Sequence, residues 1–168
     1  GEHIGSYETL FHVAIDNWLN PSIQKIGCCW IVAALFYVLG EKSSLPVQLS
    51  YSLNAGHGRI QIPVKKGIFI DPIFGGGFDV AKYPDEEILP LRDFISMAYL
   101  NRTDMMTNPE EKALLCLTAI ELSPKRAEGY GELATVHIDQ GGDYDLAVQL
   151  CHRAIGLGNN HPMYRTNL

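Results

Sequence analysis

The chain has 168 residues, of which 46% are hydrophobic and 19% are charged, a composition typical of a globular protein and not of a disordered one. The net charge is −6 and the basic residues cluster no further than the pairs Lys65-Lys66 and Lys125-Arg126, which argues against a nucleic-acid partner. The longest apolar run, residues 28–39, is shorter than the roughly 20 residues that a membrane helix requires, so no membrane association is expected. Four cysteines, two of them adjacent, do not form the pattern of an extracellular disulfide framework, which favours a reducing, cytoplasmic compartment.

The first part of the chain carries two predicted helices. Residues 7–20 have apolar side chains at the three-and-four spacing of an amphipathic helix, and Asn20-Pro21 ends it. Residues 28–39 are apolar on all sides, which predicts a second helix at the centre of the core, closed by Gly40.

Three strands are predicted next. Residues 47–53 and 59–62 alternate apolar and polar side chains, and residues 67–72 form a third short extended segment. Short turns separate the three segments, which favours an antiparallel meander before the glycine run at residues 75–77. From about Leu89 onward the pattern predicts helices only.

The helical part resembles the tetratricopeptide repeat over residues 127–158, and in part over the preceding helix at residues 110–122. The residues at the repeat's apolar and small positions are Tyr130, Leu133, Ala134, Ala147 and Ala154, with Pro124 closing the segment before. Small residues there allow two antiparallel helices to approach closely. Because a lone repeat is unstable, we expect this tail to pack against the front half of the chain. Four further side chains on these helices are interpreted as packing or surface residues: Cys116, His137, Cys151 and His152.

Three short segments carry reactive side chains in the order cysteine, histidine, aspartate. Cys29 lies in Gly27-Cys28-Cys29-Trp30 at a predicted helix start, where the helix dipole and free N–H groups favour a thiolate. His57 lies between two glycines at a strand start, and Asp71 precedes Pro72 at a strand end. A histidine within reach would exchange a proton with the thiol, and an aspartate behind it would orient the imidazole.

These segments resemble the transglutaminase-like superfamily. Gly27-Cys28-Cys29-Trp30 matches the family's Gly-x-Cys-Trp signature, and Asp71-Pro72 matches its Asp-Pro. The resemblance implies the catalytic residues Cys29, His57 and Asp71, although Arg59 stands where an aromatic residue often follows the family's histidine. The chain also resembles a small, mostly bacterial subfamily in which such a core runs into tetratricopeptide-type helices and whose members often lack the cysteine.

The resemblance therefore predicts an α+β fold. A papain-like, transglutaminase-like core with helices and a small antiparallel sheet is expected over residues 1–90, followed by tetratricopeptide-like α-helices over residues 91–168. His57 and Asp71 lie directly opposite each other only if the turn between their strands is centred on Val64, and the resemblance favours that register. A two-residue Lys65-Lys66 turn would place them on opposite faces.

Each candidate also has a simpler interpretation. Cys29 could be a small buried hydrophobic residue, Asp71 an ordinary turn cap, and His57 has the setting of an exposed residue at a loop edge. Cys28 is expected to be a neighbour of the nucleophile, since one helix step of roughly 100° separates the two side chains; a redox pair is the alternative. Gln24 is a candidate amide donor to the oxyanion hole or a solvated loop residue. Trp30 is expected to pack in the core beside the active helix.

The resulting functional prediction is cysteine-dependent acyl transfer at an amide bond of a protein or peptide, with hydrolysis favoured over transamidation. No cofactor is expected, and no metal, because the sequence has no CxxC pair and no further suitably spaced ligand. The alternative is a non-catalytic module that binds a protein through the helical tail. Oligomeric state stays open.

Overall fold

The computed structural model describes residues 28–52, 55–63, 68–70, 78–79 and 83–158, with only the backbone at residues 28, 29, 31, 32, 68–70 and 78–79. Helices and an antiparallel sheet make up this part of the chain, which confirms the α+β class. The chain divides into two compact units after Phe94. The helix predicted over residues 7–20 lies outside the described residues.

The first described helix, α1, spans Cys28–Lys42 and so continues past the predicted end at Gly40. A side chain at Gly40 would come within 2.4 Å of Val47, so this glycine serves close packing and not helix termination. The helix ends at Lys42, and the turn that follows it contains Ser44, whose φ of 57° lies in the left-handed region. The N–H groups of Ser44 and Leu45 donate to the carbonyls of Glu41 and Gly40, at 3.2 and 2.9 Å, which satisfies the last turn.

The sheet contains five short strands in the order β4-β3-β2-β1-β5, and every described pairing is antiparallel. They are β1 (Gln48–Ser52), β2 (His57–Ile62), β3 (Ile68–Ile70), β4 (Phe78–Asp79) and β5 (Glu86–Leu89). The first three form the predicted meander. The pattern missed β4 and β5.

The register between β2 and β3 differs from the predicted one. Ile60 pairs with Ile70 and Ile62 with Ile68, so the pairing is centred on residue 65 and the prediction of a turn centred on Val64 was wrong. The physical reason lies in the side chains, because the Val64-centred register would set Ile62 opposite Lys66. The observed register gives both isoleucines an apolar partner.

One face of the sheet forms the core of the first unit. Tyr51 and Ile60 are buried on this face, and Trp30 of α1 packs on it, with its ring centroid 4.8 Å from that of Tyr51 and 4.8 Å from that of Phe94. The opposite face is polar yet also buried. Its row of side chains comprises Ser50, Ser52, His57, Arg59 and Glu86.

Four helices follow the sheet: α2 (Leu91–Thr103), α3 (Pro109–Leu122), α4 (Glu128–Asp139) and α5 (Tyr144–Gly156). Asn108 and Asp143 cap the starts of α3 and α5, as their side chains accept hydrogen bonds from the first-turn N–H groups.

Small side chains line the contact between α4 and α5. Ala134, Ala147 and Cys151 form one buried cluster, and Ala127 and Ala154 form another. The small residues that the sequence singled out therefore lie where the two helices pack most closely. In the described part of the chain, none of the helices combines the length and apolar character needed to cross a bilayer.

Candidate functional site

Cys28 and Cys29 occupy the first turn of α1, a position where the helix dipole favours a thiolate. Their side chains are outside what the structure describes, as is the whole of Gln24. Trp30 is only 2% exposed, which confirms its predicted place in the core. Its buried Nε1–H has no hydrogen-bond partner within the described residues.

Trp30 brings the start of α1 close to the start of β2. A side chain at Gly58 would come within 3.0 Å of Trp30 Cε3 and 2.6 Å of Phe94 Cζ, so the indole lies directly on this glycine. Cys29 precedes Trp30 in the chain and His57 precedes Gly58. The predicted nucleophile and the predicted base are therefore each next in sequence to a residue of the contact between Trp30 and Gly58.

His57 is buried, with 9% of its surface exposed, so the expectation of an exposed loop-edge residue was wrong. The reason is that β2 begins at His57 itself, which pairs with Ser52 of β1. Gly56, at a φ of 57°, makes the turn that leads into the strand. The imidazole lies edge-on to Tyr83, with ring centroids 6.4 Å apart and planes at 88°.

His57 and Gly58 point to opposite faces of the sheet, because successive side chains of a strand alternate. Gly58 meets Trp30, whereas the His57 ring lies on the side of Tyr83. A contact between Cys29 and His57 therefore has to form around the end of the sheet, where β2 starts. Asp71 lies outside the described residues.

Glu86 is the centre of a buried polar network beside His57. Its Oε1 accepts hydrogen bonds from Ser50 Oγ at 2.6 Å and Arg59 Nε at 3.1 Å. Its Oε2 accepts from Arg59 Nη2 at 2.5 Å and from the backbone N–H of Tyr83 at 3.1 Å. The side chains of Arg59 and Glu86 are 0% and 1% exposed.

A second pair of hydrogen bonds extends the network toward the end of the sheet. Ser52 Oγ donates to Asp85 Oδ1 at 2.8 Å and accepts the N–H of Ala55 at 3.1 Å. Ser52 is paired with His57 on one side and with Glu86 on the other. The hydroxyl thus ties the turn before His57 to the loop before β5.

Sequence reasoning missed this network. Arg59 was predicted only as part of a strand and as a departure from a family pattern, and Tyr83, Asp85 and Glu86 had no predicted role. The available signal was the alternation of Ser50, Ser52, His57 and Arg59, which marks one polar sheet face. A buried arginine on such a face requires a carboxylate partner.

The two other described cysteines, Cys116 and Cys151, are packing residues. Cys116 and Cys151 are fully buried on α3 and α5, which confirms their interpretation as packing residues. Burial raises the pKa of the Cys116 thiol from 9.0 to about 12 and also raises that of Cys151. Over the residues that the structure describes, His, Cys, Asp and Glu side chains do not gather into a group of three that could bind a metal ion.

Comparisons with known proteins give no match: none of the family models, no curated protein and no solved structure is similar to this chain. Membership in the transglutaminase-like superfamily thus stays a prediction. The function has to be argued from the site itself.

Proposed function

We propose that the protein catalyses cysteine-dependent acyl transfer at an amide bond, with Cys29 as nucleophile, His57 as general base and acid, and Asp71 orienting His57. In this proposal the first unit is a papain-like, transglutaminase-like core and the helical unit is tetratricopeptide-like. The packing of Trp30 on Gly58 is the observation that supports the proposal, since it brings the backbone of the first turn of α1 next to the start of β2, the end of the sheet around which Cys29 would reach His57.

The chemistry follows from these roles. The Cys29 thiolate attacks the amide carbonyl, and the backbone N–H of Cys29 at the helix start stabilises the oxyanion. His57 gives the proton to the departing amine, which leaves a thioester on Cys29. Water, activated by His57, then releases the acid; an amine acceptor in place of water would give a new amide.

We favour water as the acceptor. Water is always present, and the sequence shows no dedicated amine site. The substrate class is a protein or peptide, because the amide bond is the group on which this chemistry acts.

An activated ester tests the proposal without knowledge of the natural substrate. We expect p-nitrophenyl acetate to acetylate Cys29, with mass spectrometry locating the acyl group and the burst of nitrophenol counting the sites. Cys29→Ser should abolish the burst, and Cys28→Ser is the matched control that should keep it. A burst that survives Cys29→Ser would refute the proposed nucleophile.

The acceptor is measured in the same reaction. Addition of a primary amine should leave the products as acetate if the enzyme is a hydrolase. Formation of the acetamide in proportion to the amine would make it a transamidase instead.

A protein-binding module is the second candidate, favoured by apolar side chains exposed on α3. Leu114 and Leu117 are 64% and 53% exposed and lie one helical turn apart on one face. In this case Leu114→Gln with Leu117→Gln should abolish binding of a protein partner, and Cys29→Ser should leave binding unchanged. An acylated Cys29 would favour the enzyme over this alternative.

A further inference from the structure

Tyr83 contacts two functional groups on the polar face of the sheet. The Arg59 guanidinium carbon lies 4.3 Å from the centroid of its ring, a cation–π contact. The His57 ring meets the same aromatic ring edge-on at 6.4 Å. Tyr83 therefore contacts both the buried ion pair and the imidazole.

Glu86 fixes the position of Tyr83. Its Oε2 accepts the backbone N–H of Tyr83, and the other three hydrogen bonds to the carboxylate come from Ser50 and Arg59. The three bonds from Ser50 and Arg59 are buried and the one from Tyr83 is partly buried, so the carboxylate cannot move away without leaving buried donors unpaired.

The pairing of β5 with β1 does not need this arrangement. That ladder runs from Glu86 to Leu89, whereas Tyr83 precedes the strand. The Glu86 carboxylate thus accepts a hydrogen bond from the backbone N–H of Tyr83, three residues earlier, and holds this residue over the same face of the sheet as His57. Ser52, which pairs with both His57 and Glu86, lies in the row between them.

We propose that Tyr83, held by Glu86 and Arg59, is a positioning residue that fixes the orientation of the His57 imidazole for proton exchange with Cys29. This inference rests on the proposed function. A general base acts only when its ring nitrogen points at the proton it takes, so contact with a fixed aromatic ring favours activity by restricting rotation of the imidazole away from that orientation. The ring and not the hydroxyl makes the contact.

The test is the rate at which iodoacetamide alkylates Cys29, followed by mass spectrometry from pH 5 to 9. We expect Tyr83→Ala to slow the reaction near neutral pH at least fivefold, toward the rate of His57→Ala. Tyr83→Phe keeps the ring and should stay within twofold of wild type. Glu128→Gln, which breaks a carboxylate–arginine pair of Glu128 with Arg126 in the helical unit, is the matched control and should also stay within twofold.

A combined variant separates positioning from general loosening of the fold. If Tyr83 acts through His57, Tyr83→Ala should change the rate no further in a His57→Ala background, and both should show the same flattened pH profile. A purely structural role would slow or speed alkylation equally in either background, which overturns the inference. Protection of the buried Cys116 and Cys151 reports that the helical unit of each variant is folded, and near-ultraviolet circular dichroism of the buried Trp30 reports on the first unit.

The variants distinguish failure of the positioning role from failure of the proposed function. If His57→Ala slows alkylation and Tyr83→Ala does not, the positioning role is overturned and the proposed function stands. If His57→Ala leaves the rate of Cys29 unchanged, the proposed function itself is refuted. Tyr83→Leu repeats the test with a different side chain, and a folded variant with the wild-type rate overturns the positioning role.

Discussion

Arg59 and Glu86 form an ion pair that is buried in the described part of the chain. Both side chains are shielded from solvent, so their desolvation has to be offset by their mutual attraction and by hydrogen bonds. The fork of Arg59 and the hydroxyl of Ser50 supply these bonds. The removal of one partner would leave the other charge buried and alone.

Arg59→Met should therefore destabilise the protein by about 3–5 kcal/mol, as is usual when one side of a buried ion pair is lost. Urea unfolding measures the change, and Arg59→Met with Glu86→Met should recover most of the loss. A cost below about 1 kcal/mol for Arg59→Met would show that the pair contributes little.

Ser44 holds a backbone conformation that glycine adopts more easily. Its φ of 57° closes α1, and its side chain is exposed. Ser44→Gly should raise the free energy of unfolding by about 0.5–1 kcal/mol, because the left-handed conformation strains a residue with a Cβ. Ser43→Gly, one residue earlier, is the control and should give no gain; equal gains at both positions would refute the argument.

The Cys116 thiol predicts a dependence of stability on pH. Its pKa is raised by desolvation to about 12 in the folded protein, from 9.0. Below pH 9 the thiol is protonated in both states, and above it only the unfolded chain loses the proton. The free energy of unfolding should then fall between pH 9 and 12, by up to about 1.4 kcal/mol per pH unit for this group. Cys116→Ala should show a shallower fall over this interval, whereas parallel curves would contradict the assignment.

At the scale of elements, β2 packs closely against neighbouring side chains because Gly58 has no side chain of its own. Gly58 lets Trp30 and Phe94 reach the backbone of the strand. This contact positions α1 against the sheet. The same contact underlies the proposed approach of Cys29 to His57.

Gly58→Ala should accordingly cost about 1–3 kcal/mol through overpacking, and it should also slow the alkylation of Cys29. Gly156→Ala is the matched control, since no atom lies within 4 Å of its added methyl group at the end of α5. Thermal unfolding measures both. If Gly58→Ala left both the stability and the rate of Cys29 alkylation unchanged, the packing of Trp30 would not depend on the absence of a side chain at residue 58.

The elements that follow a simple period could be predicted from the sequence. Apolar alternation indicated β1 through Leu49 and Tyr51, and the continuous apolar run indicated α1. Strand β5 could not be found this way, because Glu86 and Glu87 interrupt the pattern. The inward carboxylate of Glu86 is tolerated only because Arg59, 27 residues away, lies beside it in the folded sheet. Such a partner depends on strand order and register, which local patterns do not contain.

At the scale of the whole molecule, the chain joins a unit with a sheet to a unit of helices, divided after Phe94. The proposed nucleophile Cys29 and the proposed base His57 both belong to the first unit. The second has small residues where α4 and α5 meet and exposed leucines on α3. We propose chemistry in the first unit; the alternative is a non-catalytic protein that binds a partner through the second unit.

One measurement tests the central claim most directly, namely the pH dependence of Cys29 alkylation in wild type and in His57→Ala. We expect Cys29 to react in wild type with a thiolate pKa below the usual value of about 8.5, far faster than the buried Cys116 and Cys151. His57→Ala should remove that advantage. A slow Cys29 whose profile is the same in both proteins would contradict the proposed catalytic pair.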